Sequence, residues 1–366
     1  MMTTGSGANP APGTILVVVT RRIGDVLLAT PLIRSLKQSW PGARIDLLVF
    51  AGTQGVLAAN PDVDAVHVIA ERPGVLQHLA FIIKLVRRFD LALSLVPGDR
   101  PTLYAWLAGR RSIGLLIDRP GQRWKQRLLS AWSAFDPDHT HTLRGHLQLA
   151  GMLGITATAG VVVSWTPEDA AAVDALLGHE CTPLAVLHPY PKFRYKMWHE
   201  QGWTDVATWL TNHGFRVALT GGPDGDERAY VDAIAQRLPQ SVINAAGKLT
   251  LGGTAALLSR ARFFVGPDTA VTHMAAASGI PTIALFGPTD PVKWGPWPRG
   301  HAPTSNPWRR SGNQRLGNVQ LIQGRAACVP CGHEGCDRHI DSASDCLQQL
   351  SAQTVINHLK TMVYGR

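Results

Sequence analysis

The chain has 366 residues, 45% of them hydrophobic and 17% charged, a balance that excludes a disordered protein and makes room for about two domains with sizeable cores. Its formal charge of +9 is uneven: residues 1–166 carry 17 basic against 10 acidic side chains, and residues 167–366 carry 18 against 16. The N-terminal half therefore faces something anionic, and with no basic base-reading helix and no aromatic RNA-binding motif, nucleic acid is set aside in favour of an acidic substrate or a membrane surface.

In chain order, residues 1–14, MMTTGSGANPAPGT, lack the basic start and apolar segment of a signal peptide and read as a flexible tail on a cytoplasmic chain. No apolar run approaches the roughly twenty residues that a membrane-spanning helix needs. Ile15–Thr20, ILVVVT, is then a short strand, RRIGD a turn, and Val26 to Lys37 a helix. Strand-forming runs return at Ile45–Phe50, Ala65–Ile69 and Leu91–Val96, the last stopped by Pro97-Gly98. After a break near Trp165–Asp169 the alternation restarts, with strands at Leu184–His188, Arg216–Thr220, Val242–Asn244, Phe263–Val265 and Thr282–Phe286. Strand and helix alternating twice over specify an α/β chain of two doubly wound, Rossmann-like domains facing a cleft, over residues 15–166 and 167–350, followed by a terminal helix in residues 351–366.

The stretch FVGPDTAVTHMAAASGIPTIALFGPTDPVKWGP carries the clearest site signal. Gly266 and Pro267 stop a buried strand, and Asp268 or Thr269 caps a helix carrying Val271, Met274, Ala275 and Ala276. The next strand exits through Gly287-Pro288-Thr289-Asp290, beside the first exit if the two strands are parallel neighbours. Two helix-opening turns side by side offer unpaired N–H groups to an anion, and with Lys293 following they favour a ligand that carries phosphate.

RIGDVLLATPLIRSLKQSWPGARIDLLV and GPDTAVTHMAAASGIPTIALFGPTDPVKWGPW together resemble the ADP-heptose:lipopolysaccharide heptosyltransferases, glycosyltransferase family 9, from about Ile15 to about Leu350. The resemblance implies the GT-B fold, with an N-terminal acceptor-binding domain and a C-terminal nucleotide-sugar-binding domain. It also implies an inverting transfer of heptose from ADP-heptose to the lipopolysaccharide inner core, on the cytoplasmic side of the inner membrane, with no cofactor for catalysis. Asp25 inherits the part of general base, where an ordinary helix cap is the plain alternative. HPYPKFRYKMW gives Lys196 the place against the donor phosphates, with Lys192 and Arg194 as nearby substitutes. ALTGGPDGDE supplies Thr220, Gly221 and Gly222 to the nucleotide pocket, and NAAGKLTL a second loop near Ala246–Leu249. Asp224 and Asp226 have a spacing that holds metal elsewhere, but are read as loop acids. Asp268, Thr269 and His273 match the Asp-Thr/Ser-Gly-x-x-His pattern of the family, with Ala270 standing where many members have Gly; the donor then lies between that helix and Gly287, Pro288 and Thr289.

Two further features are weaker. RPGQRWKQRLLSAW, Arg119–Trp132, sets Trp124, Leu128, Leu129 and Trp132 at helical spacing beside Arg119, Arg123, Lys125 and Arg127, a basic amphipathic segment that could meet an anionic membrane or acceptor phosphates, or be a solvated face. Cys328, Cys331, Cys336 and Cys346 could hold a structural zinc or iron, with reduced loop cysteines as the plain alternative. Two other functions stay open: a protein (autotransporter) heptosyltransferase, and a nucleotide-sugar-binding protein without turnover.

Overall fold

The computed structural model describes residues 11–364, so residues 1–10 of the expected tail lie outside it. The first half runs β1 (Thr14–Val19), α1 (Ile23–Ser39), β2 (Arg44–Phe50), β3 (Ala65–Ile69), α2 (Val75–Leu85), β4 (Phe89–Ser94), α3 (Asp99–Ala108), β5 (Gly109–Leu116), α4 (Arg123–Leu128), β6 (Ala131–Ala134) and α5 (Thr142–Leu153). Its strands form one parallel sheet in the order β3-β2-β1-β4-β5-β6. The second half runs α6 (Pro167–Leu177), β7 (Leu184–Leu187), α7 (Glu200–Asn212), β8 (Arg216–Leu219), α8 (Gly225–Ala235), β9 (Ile243–Asn244), α9 (Leu251–Arg260), β10 (Ala261–Pro267), α10 (Ala270–Ser278), β11 (Thr282–Phe286), α11 (Pro291–Trp294), β12 (Gln314–Leu316), β13 (Val319–Gln323), α12 (Asp345–Gln348) and α13 (Ala352–Tyr364). Here the order is β12-β13-β11-β10-β7-β8-β9, parallel except for the β12–β13 hairpin.

Each of the nine expected strands has its counterpart, and β5, β6, β12 and β13 are additions. β10 and β11 are parallel neighbours, Phe264 opposite Thr282 and Pro267 opposite Leu285, so the condition for side-by-side exits is met. In each sheet the chain builds outward on one side and then returns to the other. The reversal falls between β1 and β4 in the first sheet and between β7 and β10 in the second. Crevices at such reversals, at the carboxyl ends of the strands, are where open α/β sheets bind ligands.

The halves share a core. Buried Leu27, Leu28 and Leu32 of α1 and Leu147 of α5 belong to the same apolar cluster as Leu257 of α9 and Val271 and Met274 of α10. α13 lies against α7, where Val355, Ile356 and Leu359 join Trp198 and Trp203 in a second cluster. The Arg119–Trp132 segment departs from expectation: a 3-10 turn at Pro120–Gln122 leads into an α-helix of only Arg123–Leu128, Leu129 is buried, and Trp132 sits in β6 opposite Gly114. Lys125 is turned inward, its Nζ 2.6 Å from Asp99 Oδ1 and donating to Gln122 Oε1 at 2.9 Å. An inward lysine paired to a carboxylate offers no charge to a membrane, which leaves Arg119, Arg123 and Arg127 as the exposed cations of this segment.

Candidate active site

The first crevice is built where β1 ends. After Thr14 its strand is apolar and buried, and the chain turns at Arg21-Arg22 into α1, with Arg22 as the N-cap. Asp25 sits in the first turn of that helix, and its Oδ2 accepts the Arg22 backbone N–H at 3.3 Å. The carboxylate therefore helps to open the helix, but it also faces a small hollow lined by Arg21, Pro97, Thr142, His146 and Lys293. Burial raises the pKa of Asp25 above the ordinary carboxylate value, against the pull of Arg21, whose Nε lies 3.7 Å away, and of Lys196. A carboxylate held so is a better proton acceptor than one in water. Gly24 is not forced by crowding: a Cβ there would meet only the His273 ring, at 3.8 Å.

The second crevice is built from the exits of β7 and β10. Lys196 stands in a short helical turn, Arg194–Lys196, and its Nζ lies 2.6 Å from Asp268 Oδ2, a pair 72 residues apart in sequence. The Asp268 side chain is 7% exposed and that of Lys196 19%. Thr269, not Asp268, is the N-cap of α10, its hydroxyl accepting the Thr272 N–H at 3.4 Å. Ala270 is the first residue of the helix, whose leading N–H groups lack helical partners and point a positive dipole end at the crevice. His273 is buried one turn on. Burial lowers its pKa to about 4, and its Nδ1 finds no partner among the described residues.

Around this pair the expected donor residues divide. Gly287 and Pro288 are buried and Thr289 half-buried beside the α10 opening, the Gly287 backbone being backed so closely that a Cβ would come 2.7 Å from Leu347. The Gly221 carbonyl accepts the Gly247 N–H at 2.9 Å, which ties the two expected nucleotide loops together. Thr220 is buried at the end of β8, where its hydroxyl donates to the Leu187 carbonyl at 3.2 Å and meets His188 Nδ1 at 3.0 Å, joining β8 to β7. Asp224 caps α8 by accepting the Asp226 N–H at 3.1 Å, the loop role expected of that pair.

Arg21, Arg22 and His141, which the motifs did not single out, complete the cleft. The Arg21 guanidinium lies over Trp294 at 5.0 Å and that of Arg22 over Phe193 at 5.5 Å, so each arginine of the first half rests on an aromatic ring of the second. His141 joins the halves more firmly: its Nδ1 accepts the Leu143 N–H and its Nε2 donates to the Gly295 carbonyl at 2.7 Å, with burial lowering its pKa to about 3. Burial also lowers the pKa of Lys293 and of Lys192, each pressed further by a neighbouring arginine. Two arginines directly before Ile-Gly-Asp were the available signal, since a cation pair at a strand exit is rarely idle.

The four cysteines are a correction. No three His, Cys, Asp or Glu side chains come together in a way that would hold a metal ion among the described residues. Cys346 is buried on α12, and burial pushes it up to about 11, against the Leu347 backbone N–H and with a smaller push from the other three thiols. Cys336 Sγ accepts the Asp345 N–H at 3.3 Å, while Cys328 is exposed. Cys346 is held inward by packing, Cys331 is half-buried, and Cys328 and Cys336 face solvent.

A carboxylate poised on one switch-point crevice and a lysine with a helix opening on the other define a transferase that moves a phosphate-activated group to an acceptor. A sequence model of glycosyltransferase family 9 (heptosyltransferase) matches residues 119–315. Lipopolysaccharide heptosyltransferase 3 of Escherichia coli strain K12 is 32% identical over 289 residues, which cover 75% of this chain and 82% of that one. Lipopolysaccharide heptosyltransferase 1 of the same strain is 26% identical over 76% of this chain and 88% of its own. The chain belongs to glycosyltransferase family 9. Its fold is GT-B: the solved structure of E. coli ADP-heptose lipopolysaccharide heptosyltransferase II superposes with a TM-score of 0.73 at 19% identity over 96% of this chain and 99% of that one. A family 9 glycosyltransferase from Veillonella parvula gives 0.76 at 19% identity over 97% and 98%.

Proposed function

We propose that this glycosyltransferase moves heptose from ADP-heptose to an inner-core sugar of lipopolysaccharide, with inversion, at the cytoplasmic face of the inner membrane. The observation that carries this is the buried Asp25 carboxylate, its pKa raised, facing a hollow it shares with Arg21 and Lys293 and lying within the field of Lys196. The relatives whose names specify lipopolysaccharide heptosyltransferases support the substrate class.

In this reading the acceptor hydroxyl oxygen attacks the anomeric carbon of heptose, the bond from that carbon to the β-phosphate oxygen breaks, and the acceptor proton passes to Asp25. The departing ADP takes the electron pair. Its growing charge is met by Lys196 and the leading N–H groups of α10, donors fixed before the reaction begins. Asp268 holds Lys196 in place through their 2.6 Å pair. His273 is buried and neutral and serves as packing between α1 and α10. Arg21 and Lys293 on the acceptor side suit an anionic acceptor, in keeping with the positive N-terminal half. No step uses the four cysteines.

The test is to incubate the protein with ADP-heptose and, separately, with a heptose-lacking lipopolysaccharide core and an autotransporter polypeptide, following ADP release and product mass. Heptose on the core glycan alone is the expected result. Transfer to the polypeptide, or binding of ADP-heptose without transfer to either, would replace this reading with one of the alternatives.

A further inference from the structure

Helix α2 is built differently from its neighbours. Its sequence, VLQHLAFIIKL, has no acidic residue, and only part of its apolar surface is used by the fold. Phe81, Ile82 and Leu85 pack onto Ile69, Phe89, Tyr104 and Ala105, and His78 Nε2 meets the Tyr104 hydroxyl at 2.8 Å. Val75, Leu76, Leu79 and Ile83 are left outside, 76%, 82%, 51% and 73% exposed. At 3.6 residues per turn these four fall within an arc of about 100°, a continuous stripe beside the buried face. Val86, 44% exposed, follows at the end of the helix, and Val68 on the sheet-edge strand β3 adds another exposed apolar side chain.

An aqueous surface does not ordinarily gather large aliphatic side chains in this way. The charge around the stripe says what covers it. Arg72, Lys84, Arg87 and Arg88 are all exposed about the two ends of the helix. The adjacent acid, Glu71, is engaged with Arg22 at 3.7 Å. An apolar stripe flanked by cations on a helix too short to span a bilayer matches a segment that lies in the plane of an anionic lipid surface. No helix of the described residues is long and apolar enough to cross a membrane.

We infer that α2 docks this protein on an anionic bilayer, with Val75, Leu76, Leu79 and Ile83 entering the acyl boundary and Arg72, Lys84, Arg87 and Arg88 meeting lipid phosphates. The placement serves the cleft. α2 begins just after β3, at the carboxyl ends of the strands, and the Glu71–Arg22 pair ties that loop to the turn that carries Asp25. A lipid-anchored acceptor embedded beside α2 would present its sugars at the crevice mouth. Only this purpose rests on the proposed function, since bilayer binding is read without donor or acceptor and so stands or falls separately.

The test is co-sedimentation of the full chain with vesicles of phosphatidylethanolamine and phosphatidylglycerol, against pure phosphatidylcholine. The wild type should bind the anionic vesicles. The double variant Leu76→Glu, Ile83→Glu should lose at least about tenfold in partitioning, with its thermal midpoint and its turnover on a short soluble acceptor unchanged. Arg72→Gln, Lys84→Gln, Arg88→Gln should weaken binding chiefly at low salt, and Arg123→Gln, Arg127→Gln on the other basic segment should not weaken it. The inference is overturned if the wild type stays in the supernatant, or if the Glu variant sediments with it. It is also overturned if ultracentrifugation shows a dimer that the Glu variant dissociates, which would mean that a second copy covers the stripe.

Discussion

Replacing Lys196 with Met separates what its ion pair does for the fold from what it does for the reaction. Lys196 Nζ and Asp268 Oδ2 are 2.6 Å apart with most of both side chains out of water, so the variant leaves a buried carboxylate without its counter-charge. Breaking a buried pair from one side costs about 3–5 kcal/mol, and the partial exposure of Lys196 puts this case near about 3. For a cooperative unit of roughly 150–250 residues that lowers the thermal midpoint by roughly 6–12 °C. Turnover should fall by about 10²–10³, the usual consequence of losing one fixed donor at a developing charge, and ADP should bind more weakly. The double variant Lys196→Met, Asp268→Asn removes both charges, so stability should return to within about 1 kcal/mol of wild type while turnover stays low. Thermal melts, ADP calorimetry and steady-state ADP release read the three quantities. If the double variant regains turnover along with stability, the pair is structural; if the single variant binds ADP as the wild type does, Lys192 or Arg194 holds the phosphates.

Acid should weaken the fold well above the carboxylate range. Burial holds His141 near pKa 3 and His146, His188 and His273 near 4, so below about 6.5 the unfolded chain binds more protons than the folded one and stability falls with pH, by up to roughly 2 kcal/mol per histidine at pH 5. Asp25 and Glu227, whose pKa values burial raises, work in the opposite sense but are two groups against these four. A melting midpoint unchanged between pH 7 and pH 5 would contradict this. Turnover in excess EDTA should stay within about twofold of the untreated rate, because Lys196 and the α10 opening supply the positive charge. Loss restored by magnesium would reassign Asp224 and Asp226, and slow loss restored by zinc or iron would point to the cysteines.

What the sequence hid follows from how each signal arises. β1, β10 and β11 are built around the apolar runs Ile15–Val19, Phe263–Val265 and Ile283–Phe286, so hydrophobic pattern alone finds them. β5 opens as Gly-Arg-Arg-Ser and β6 is only Ala-Trp-Ser-Ala, and both become strands through pairing with neighbours at the sheet edge. The β12–β13 hairpin had a local signal, Gly317-Asn318 between Leu316 and Val319, with Gly317 at φ +54°, the left-handed region that such turns require. Asp25, Lys196 and Asp268 were legible as motif positions. Their relations were not, because a lysine and an aspartate 72 residues apart meet only once the second sheet has formed. Lys125 misled for the same reason: its partner Asp99 is brought to it by α3, and a helical spacing of charges says nothing about which one turns inward.

The account stands most directly on Asp25→Asn. The amide keeps the shape of the carboxylate and can still accept the Arg22 N–H, yet it cannot take the acceptor proton. Turnover of ADP-heptose with the lipopolysaccharide core acceptor should fall to background while the dissociation constant for ADP-heptose, measured by calorimetry on the same preparation, stays that of the wild type. Retention of even about a tenth of the wild-type turnover would show that another group, or water, receives the proton.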